Sequence, residues 1–224
     1  MISIIIPVYN EEKALPATLA RVFEQSGDYE IIIADGGSSD RTREIAHYPL
    51  GARWLSAPKG RATQMNAGAR AAKGEWLLFL HADTLLPANA LARIAALNET
   101  ILAGGFRQRF SGNDWRLRLI SFLHNWRCSR THIFYGDQSM FVRRKLFAEL
   151  GGFPEVPMLE DLEFCDKLVQ VTQPLLLEEE VTTDSRKFVK MGIWRSFARV
   201  FIIIVCYQLR LPFTAQKFFS DIRG

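Results

Sequence analysis

The chain has little cysteine: Cys128, Cys165 and Cys206 are the only three in 224 residues. An odd, widely separated set excludes a disulfide framework and a cysteine-rich zinc site, and it fits a reducing cytoplasm. The chain also lacks a dominant charge. Its 28 basic and 24 acidic residues leave a net +4, too small a surplus to imply nucleic-acid binding. No apolar run is long: the apolar core of the C-terminal segment, 200–207, falls far short of the ~20 residues that span a bilayer. The opening "MISIIIPVYNEE" has no basic leader and too short an apolar run for a signal peptide, so it reads as a first strand. Neither G-x-G-x-x-G nor G-x-x-x-x-G-K-[ST] occurs, which argues against a dinucleotide oxidoreductase and a P-loop nucleotidase. Internal repeats, low-complexity tracts and an obvious interdomain linker are missing too.

What is present is an ordinary globular composition, 48% hydrophobic and 23% charged, with an alternating β and α rhythm. "ISIIIPV" is followed by a helix near Pro16, then "YEIIIAD", a helix over "SSDRTREIA", the strand "ARWLSA", a helix over "RATQMNAGARAA" and the strand "EWLLFL". Continuous aliphatic runs of this kind belong to parallel strands covered on both faces. A doubly wound α/β sheet is therefore expected. Beyond residue 98 the rhythm loosens into a strand in "ETILAGGFRQRF", a helix in "WRLRLISFLHNW", and a strand plus short helix in "SMFVRRKLFAELGGF", ended by Gly151 and Gly152.

In an open parallel sheet the ligand crevice lies beyond the carboxyl ends of the strands. Pro7, Tyr9 and Glu11, then Asp35, then His81 and Asp83 are delivered to that edge. Tyr9 offers a ring for stacking a base. Asp35, opening "DGGSSDRT", is either a turn residue or an acceptor for the N–H groups of uracil or guanine, with Ser38 or Ser39 capping the next helix. Asp83 either binds a divalent cation such as manganese or magnesium, shared with a diphosphate, or caps a helix after Pro87, as Thr84 also can. For His81 a metal contact, a ribose hydrogen bond and a structural role are all open. "MLEDLEFCDKL" sets Glu160, Asp161, Glu163 and Asp166 around a helix start, more acid than capping needs, and Asp161 is the expected general base. Lys59 and Arg61, in the loop before the third helix, are candidates for nucleotide contact or are solvated loop cations, Asp137 and Gln138 are candidates for acceptor hydroxyls or part of a turn in "YGDQ", and Arg186 and Lys187 are candidates for the diphosphate.

In their order and spacing these stretches resemble the inverting family-two glycosyltransferases of GT-A fold, over most of residues 1–170. "SIIIPVYNEE" is similar to the family's opening strand and loop, and "EIIIADGGSSDRT" to its DDGSxD segment. "KGRATQMNAGARAAKGEWLLFLHADT" resembles its NxGxxxAxGxxxxFLDADD stretch, and "GGFPEVPMLEDLEF" the region of its Glu-Asp catalytic pair. The resemblance implies a Rossmann-like, mostly parallel sheet and one domain, with a nucleotide-binding half (1–98), an acceptor half (99–184) and a C-terminal helical segment (185–224). It makes Asp35 the base-binding aspartate, Asp83 the metal aspartate of D-x-D, and Glu160 and Asp161 the catalytic pair with Asp161 as base. Gly36 and His81 depart from it, standing where the family usually has aspartates. The "LHADT" form is similar to a bacterial subgroup.

The implied partners are a nucleotide-diphosphate sugar and a hydroxyl acceptor, lipid-linked in one version. The basic, apolar segment "RKFVKMGIWRSFARVFIIIVCYQLRLPF", which includes Arg195, Arg199 and Arg210, is read as lying on an anionic membrane surface, against another protomer, or over the sheet. A catalytically silent nucleotide-sugar binder is the alternative to the enzyme. A sugar-phosphate nucleotidyltransferase is disfavoured because its glycine-rich phosphate loop is missing.

Overall fold

The structure is a computed structural model that describes residues 1–47, 51–156 and 158–209. Eight strands form one mixed sheet in the order β3-β2-β1-β4-β7-β6-β8-β5. The first half is the expected parallel array: β1 (Ile2–Val8), β2 (Tyr29–Asp35), β3 (Ala52–Ser56) and β4 (Trp76–Phe79). The second half departs from it. β7 (Phe141–Arg143) runs antiparallel to β4 and to β6 (Ala103–Phe110), while β8 (Leu175–Thr183) lies parallel to β6 and carries the two-residue β5 (Thr84–Leu85) antiparallel on its edge.

Both faces of the parallel half are covered, which is why its strands read as unbroken aliphatic runs. Ile4, Ile6, Ile31, Ile33 and Leu78 face α1 (Leu15–Phe23), α2 (Thr42–His47) and α4 (Ala90–Ala95). Ile5, Ile32 and Leu77 face α3 (Arg61–Ala71), α6 (Arg144–Glu149) and α7 (Glu160–Leu168). Helix α3 lies so close to β1 that a Cβ on Gly68 would stand 2.4 Å from the Ile5 side chain. Helix α6 ends at "ELGGF" through two left-handed glycines, Gly151 (φ 82°) and Gly152 (φ 72°).

Two expected caps are replaced by other contacts. The Ser38 hydroxyl donates to Asp35 rather than capping α2, whose first residue is Thr42; the carboxylate of Asp40 accepts the Thr42 N–H at 3.0 Å. Neither Asp83 nor Thr84 caps α4, which begins at Ala90 with no side-chain cap, because Thr84 is used in strand β5. Arg61 opens α3 rather than sitting in the loop before it.

Helix α5 (Trp115–Thr131) packs on β6. A short helix α8 (Arg186–Lys190) leads to α9 (Ile193–Gln208), and Leu117 and Ile120 of α5 meet Ile193 in a small separate core. Among the described residues no helix is long and apolar enough to cross a membrane. Of the C-terminal segment, 210–224, including Arg210, lies outside the described residues.

The α3–α6–α7 side is anchored by interlocked aromatic rings, with Phe164 fully buried 5.2 Å from Phe147 and 4.9 Å from Phe153 between ring centroids. Phe164→Ala is expected to cost about 3–5 kcal/mol in urea unfolding, since the cavity cannot collapse against fixed rings. A loss below about 1 kcal/mol would contradict that packing.

Candidate active site

Sequence-distant loops converge beyond the β1 and β4 ends because side chains stitch them together. Gln64 of α3 donates from Nε2 to the carbonyls of Val8 (2.7 Å) and Ala34 (2.8 Å), tying the ends of β1 and β2. The loop after β1 is pinned to the loop after β2: the Glu11 N–H donates to Thr42 Oγ1 (2.8 Å), the Glu12 N–H to Asp40 Oδ2 (3.1 Å), and Asn10 Oδ1 accepts the Ser39 N–H (2.8 Å). From the far side, the Asp184 N–H donates to the carbonyl of Asp83 at 3.0 Å, bringing the end of β8 alongside.

These loops enclose a cleft of about 900 Å³. Of the residues singled out from sequence, Pro7, Tyr9, Glu11, Lys59, Arg61, His81, Asp83, Arg186 and Lys187 line it. Lys13, Asp40 and Asp184, not among those residues, also line it, as does Lys190 of the basic C-terminal segment. The cleft therefore mixes several cations with a few carboxylates. Lys187 Nζ stands 3.9 Å from Glu11 Oε1, and Arg186 pairs with Asp184. Burial raises the pKa of Asp83, opposed by the positive charges of Lys187 and Arg61. Glu11 is raised for the same first reason. His81 is pushed down to about 3 by burial and then by Arg61 and Lys187, so its ring is neutral at pH 7.

Beside the cleft lies a recess of about 10 Å³, room for roughly one water. It shares Arg61 and His81 with the cleft and contains Glu160 and Asp161. Asp161 is thus behind the cleft wall, 8% exposed. Its Oδ2 accepts the Gly136 N–H at 2.6 Å and its Oδ1 the Leu162 N–H at 2.9 Å. The turn aiming the pair is held by Leu159 in the left-handed region (φ 64°), a costly conformation for a branched side chain. Glu160 is buried and faces Arg61, Oε1 to Nε 3.4 Å, which links the starts of α7 and α3. Burial raises the pKa of Asp161, and the charge of Glu160 raises it further.

Three expected residues stand elsewhere. Gln138 does not face an acceptor: it is fully buried, its Oε1 taking the Tyr135 N–H and its Nε2 reaching the Phe106 carbonyl, because the tight turn Gly136–Gln138 needs that amide. Asp137 lines neither cavity and turns to His124, 3.8 Å away. Asp35 ends β2 as expected but lines neither cavity; its carboxylate accepts from the Gly37 and Ser38 N–H groups and the Ser38 hydroxyl. One face of the Tyr9 ring is taken by Lys59 Nζ, 3.6 Å from the centroid.

Among the described residues no three His, Cys, Asp or Glu side chains cluster closely enough to hold a metal alone. Asp83, with Glu11 and Asp184 near enough to feel its charge, offers hard oxygen donors, and His81 Nε2 is buried without a hydrogen-bond partner. That set fits a cation taking its remaining ligands from phosphate and water, and it does not fit an all-protein cage.

Gly136 is required by close approach. A Cβ there would stand 2.5 Å from the His81 ring. Gly136→Ala is expected to lose about 1–3 kcal/mol by thermal unfolding, with His81→Ala in the same chain restoring most of it. A single variant that melts like the parent would refute the contact.

The family model of Glycosyl transferase family 2 matches residues 3–151. The chain is similar to the PGL/p-HBAD biosynthesis glycosyltransferase of Mycobacterium bovis, 44% identical over 170 residues that cover 68% of this chain and 63% of that protein. It is 32% identical over 138 residues to the undecaprenyl-phosphate 4-deoxy-4-formamido-L-arabinose transferase of Aeromonas hydrophila, covering 56% of this chain and 42% of that one. Its fold matches S. aureus TarS 1-349 in complex with UDP-GlcNAc (TM-score 0.66, 19% identity, 83% of this chain, 58% of that one). It also matches the mannosyltransferase PcManGT from Pyrobaculum calidifontis in complex with GDP-Man and Mn²⁺ (TM-score 0.62, 22% identity, 81% and 56%). The chain spans less than two thirds of the length of each of these relatives. With the fold of GT-A transferases and a family model matched over residues 3–151, the chain belongs to glycosyl transferase family 2.

Proposed function

We propose that this chain transfers a sugar from a nucleotide-diphosphate donor to a hydroxyl acceptor with inversion, Asp161 acting as general base. The observation that carries this reading is the adjacency of two cavities of different chemistry. The larger one is rich in Lys and Arg and suits a diphosphate, and the smaller one holds a buried carboxylate with a raised pKa. Asp161 takes the acceptor proton as the hydroxyl oxygen attacks the anomeric carbon. The bond from that carbon to the diphosphate breaks on the opposite side, and Arg61, Arg186, Lys187 and Lys190 meet the charge that develops there. Glu160 holds Arg61 in place, and the neutral His81 ring lines both the cleft and the recess. Asp83 would hold a manganese or magnesium ion together with diphosphate oxygens and water; when bound, the ion supplies further stabilisation of the departing group. Asp35 reaches a base by releasing the Ser38 hydroxyl, and Tyr9 stacks it as Lys59 turns to phosphate.

The donors in the neighbouring structures, UDP-GlcNAc and GDP-Man, support a nucleotide-sugar donor. A relative named for undecaprenyl phosphate supports a lipid-linked acceptor. One observation favours the silent binder instead: both Asp161 oxygens already accept main-chain N–H groups. Donor hydrolysis without acceptor separates the two. Slow release of sugar that stops in Asp161→Asn supports the enzyme. Tight donor binding with no turnover under any acceptor would leave only the binder.

A further inference from the structure

Ten of the fourteen large apolar side chains exposed among the described residues fall in two segments, 115–126 and 189–209. On α5, Trp115, Leu119, Phe122 and Trp126 are 64%, 38%, 64% and 55% exposed. At 3.6 residues per turn they occupy an arc of about 60°, opposite the buried Leu117, Ile120 and Cys128. The helix therefore has two apolar faces, and among the described residues only one of them is buried. On α9 the exposed side carries Trp194, Phe201 and Ile202 at 47%, 58% and 46%. The two faces adjoin, with Trp115 and Trp194 rings 6.2 Å apart. A surface helix of a self-contained domain carries polar residues there, and a contiguous apolar patch marks an interaction site.

The charge around this patch identifies the occupant. Helices α5, α8 and α9 carry nine Lys and Arg residues and no Asp or Glu, while the rest of the chain has 19 basic against 24 acidic residues. Arg118, Arg130 and Arg195 are exposed beside the aromatic stripe and form no ion pair among the described residues. A second copy would bring the same nine cations against them. Residues 210–224 add Arg210, Lys217 and Arg223 against one acid, Asp221, and supply no compensation. An anionic bilayer supplies both what the aromatic rings lack and what the arginines lack, since Trp and Phe settle at the headgroup boundary while basic residues meet anionic lipid.

We propose that α5 and α9 together form a membrane-docking face that seats this protein on an anionic lipid surface, lying on the bilayer and not crossing it. Helix α8 borders both sites: Arg186, Lys187 and Lys190 line the cleft, while Val189 is exposed with the patch. Docking therefore brings the cleft to the lipid surface. The inference stands on surface and charge alone, whatever group the cleft transfers.

The test is flotation of the full chain with vesicles of phosphatidylcholine, with and without a third of phosphatidylglycerol, combined with tryptophan quenching by brominated lipid. Binding to the anionic vesicles alone is expected, weakened by salt, with quenched emission. Phe122→Glu with Trp126→Glu should lower partitioning at least about tenfold while the melting temperature holds. Arg118→Glu with Arg195→Glu should do the same while leaving every aromatic residue in place, so misfolding of one pair leaves the other decisive. No flotation with anionic vesicles at low salt overturns the proposal. So does undiminished partitioning of both variant pairs, or a dimer in light scattering that the α5 substitutions abolish in a chain that ignores vesicles.

Discussion

Asp161→Asn is expected to bind donor as the parent chain does and to transfer sugar about 10²–10⁴-fold more slowly, the contribution of a positioned general base. Asparagine keeps the size of the side chain but can accept only one of the two N–H groups that Asp161 now accepts, because its Nδ2 donates, so unchanged donor binding is the control that the turn and α7 keep their geometry. The base works when ionised. Because burial and then the charge of Glu160 raise its pKa, activity should fall, as pH drops, at a higher pH than the ordinary aspartate value of 3.8 would give. Glu160→Gln should move that acid limb to lower pH: it removes a negative charge and frees Arg61, and both changes favour the carboxylate. Stability runs the other way. A carboxyl with a raised folded pKa keeps its proton longer in the folded chain, so its contribution to stability falls as pH rises through that window. Asp161→Asn escapes this cost, so whatever it loses in melting temperature by leaving one N–H unpaired should shrink as pH rises through that window. A variant that is inactive because it is unfolded would show no cooperative melt, and a variant with full activity would remove Asp161 from the chemistry.

Asp83→Ala is the second large effect. Donor affinity measured by calorimetry with manganese should fall at least about tenfold, since even a metal's outer-shell partners are worth that much. Without manganese, the variant should bind at least as tightly as the parent, because Lys187, Arg61 and Lys190 remain to meet the diphosphate. Removing a carboxylate from a basic cleft would otherwise strengthen anion binding, so a decrease confined to the metal-containing titration has no simple Coulombic explanation. Equal binding by both chains in manganese would exclude the metal role.

The parallel half was legible because β1, β2 and β4 are covered on both faces and so read as uninterrupted aliphatic runs. β8 was not. Its pairing with β6 slips between Phe106 and Arg107, from Phe106 opposite Leu177 to Arg107 opposite Glu180, so a run of three glutamates replaces the two-residue alternation that marks a strand. Asp184 was overlooked for that reason, since it follows a strand whose pattern the bulge erases. Glu11, Arg61, His81 and Asp83 were legible because strand ends and helix starts point one way in such a sheet. Of the two readings of Gln138, acceptor contact and turn, the sequence could not choose, because polarity in a turn reads as exposure whereas this amide serves the turn's own interior hydrogen bonds. The stripe at 115, 119, 122 and 126 has the spacing of a core face, and spacing alone cannot reveal which of two apolar faces the sheet covers.

The most direct measurement is a crystal structure of the chain with a nucleotide sugar and manganese. The diphosphate should lie between Asp83 and the cations Arg61 and Lys187, with the anomeric carbon turned toward the recess that holds Asp161. A nucleotide seated away from Asp83, or a sugar whose reacting carbon faces away from Asp161 with His81 closed between them, would contradict it.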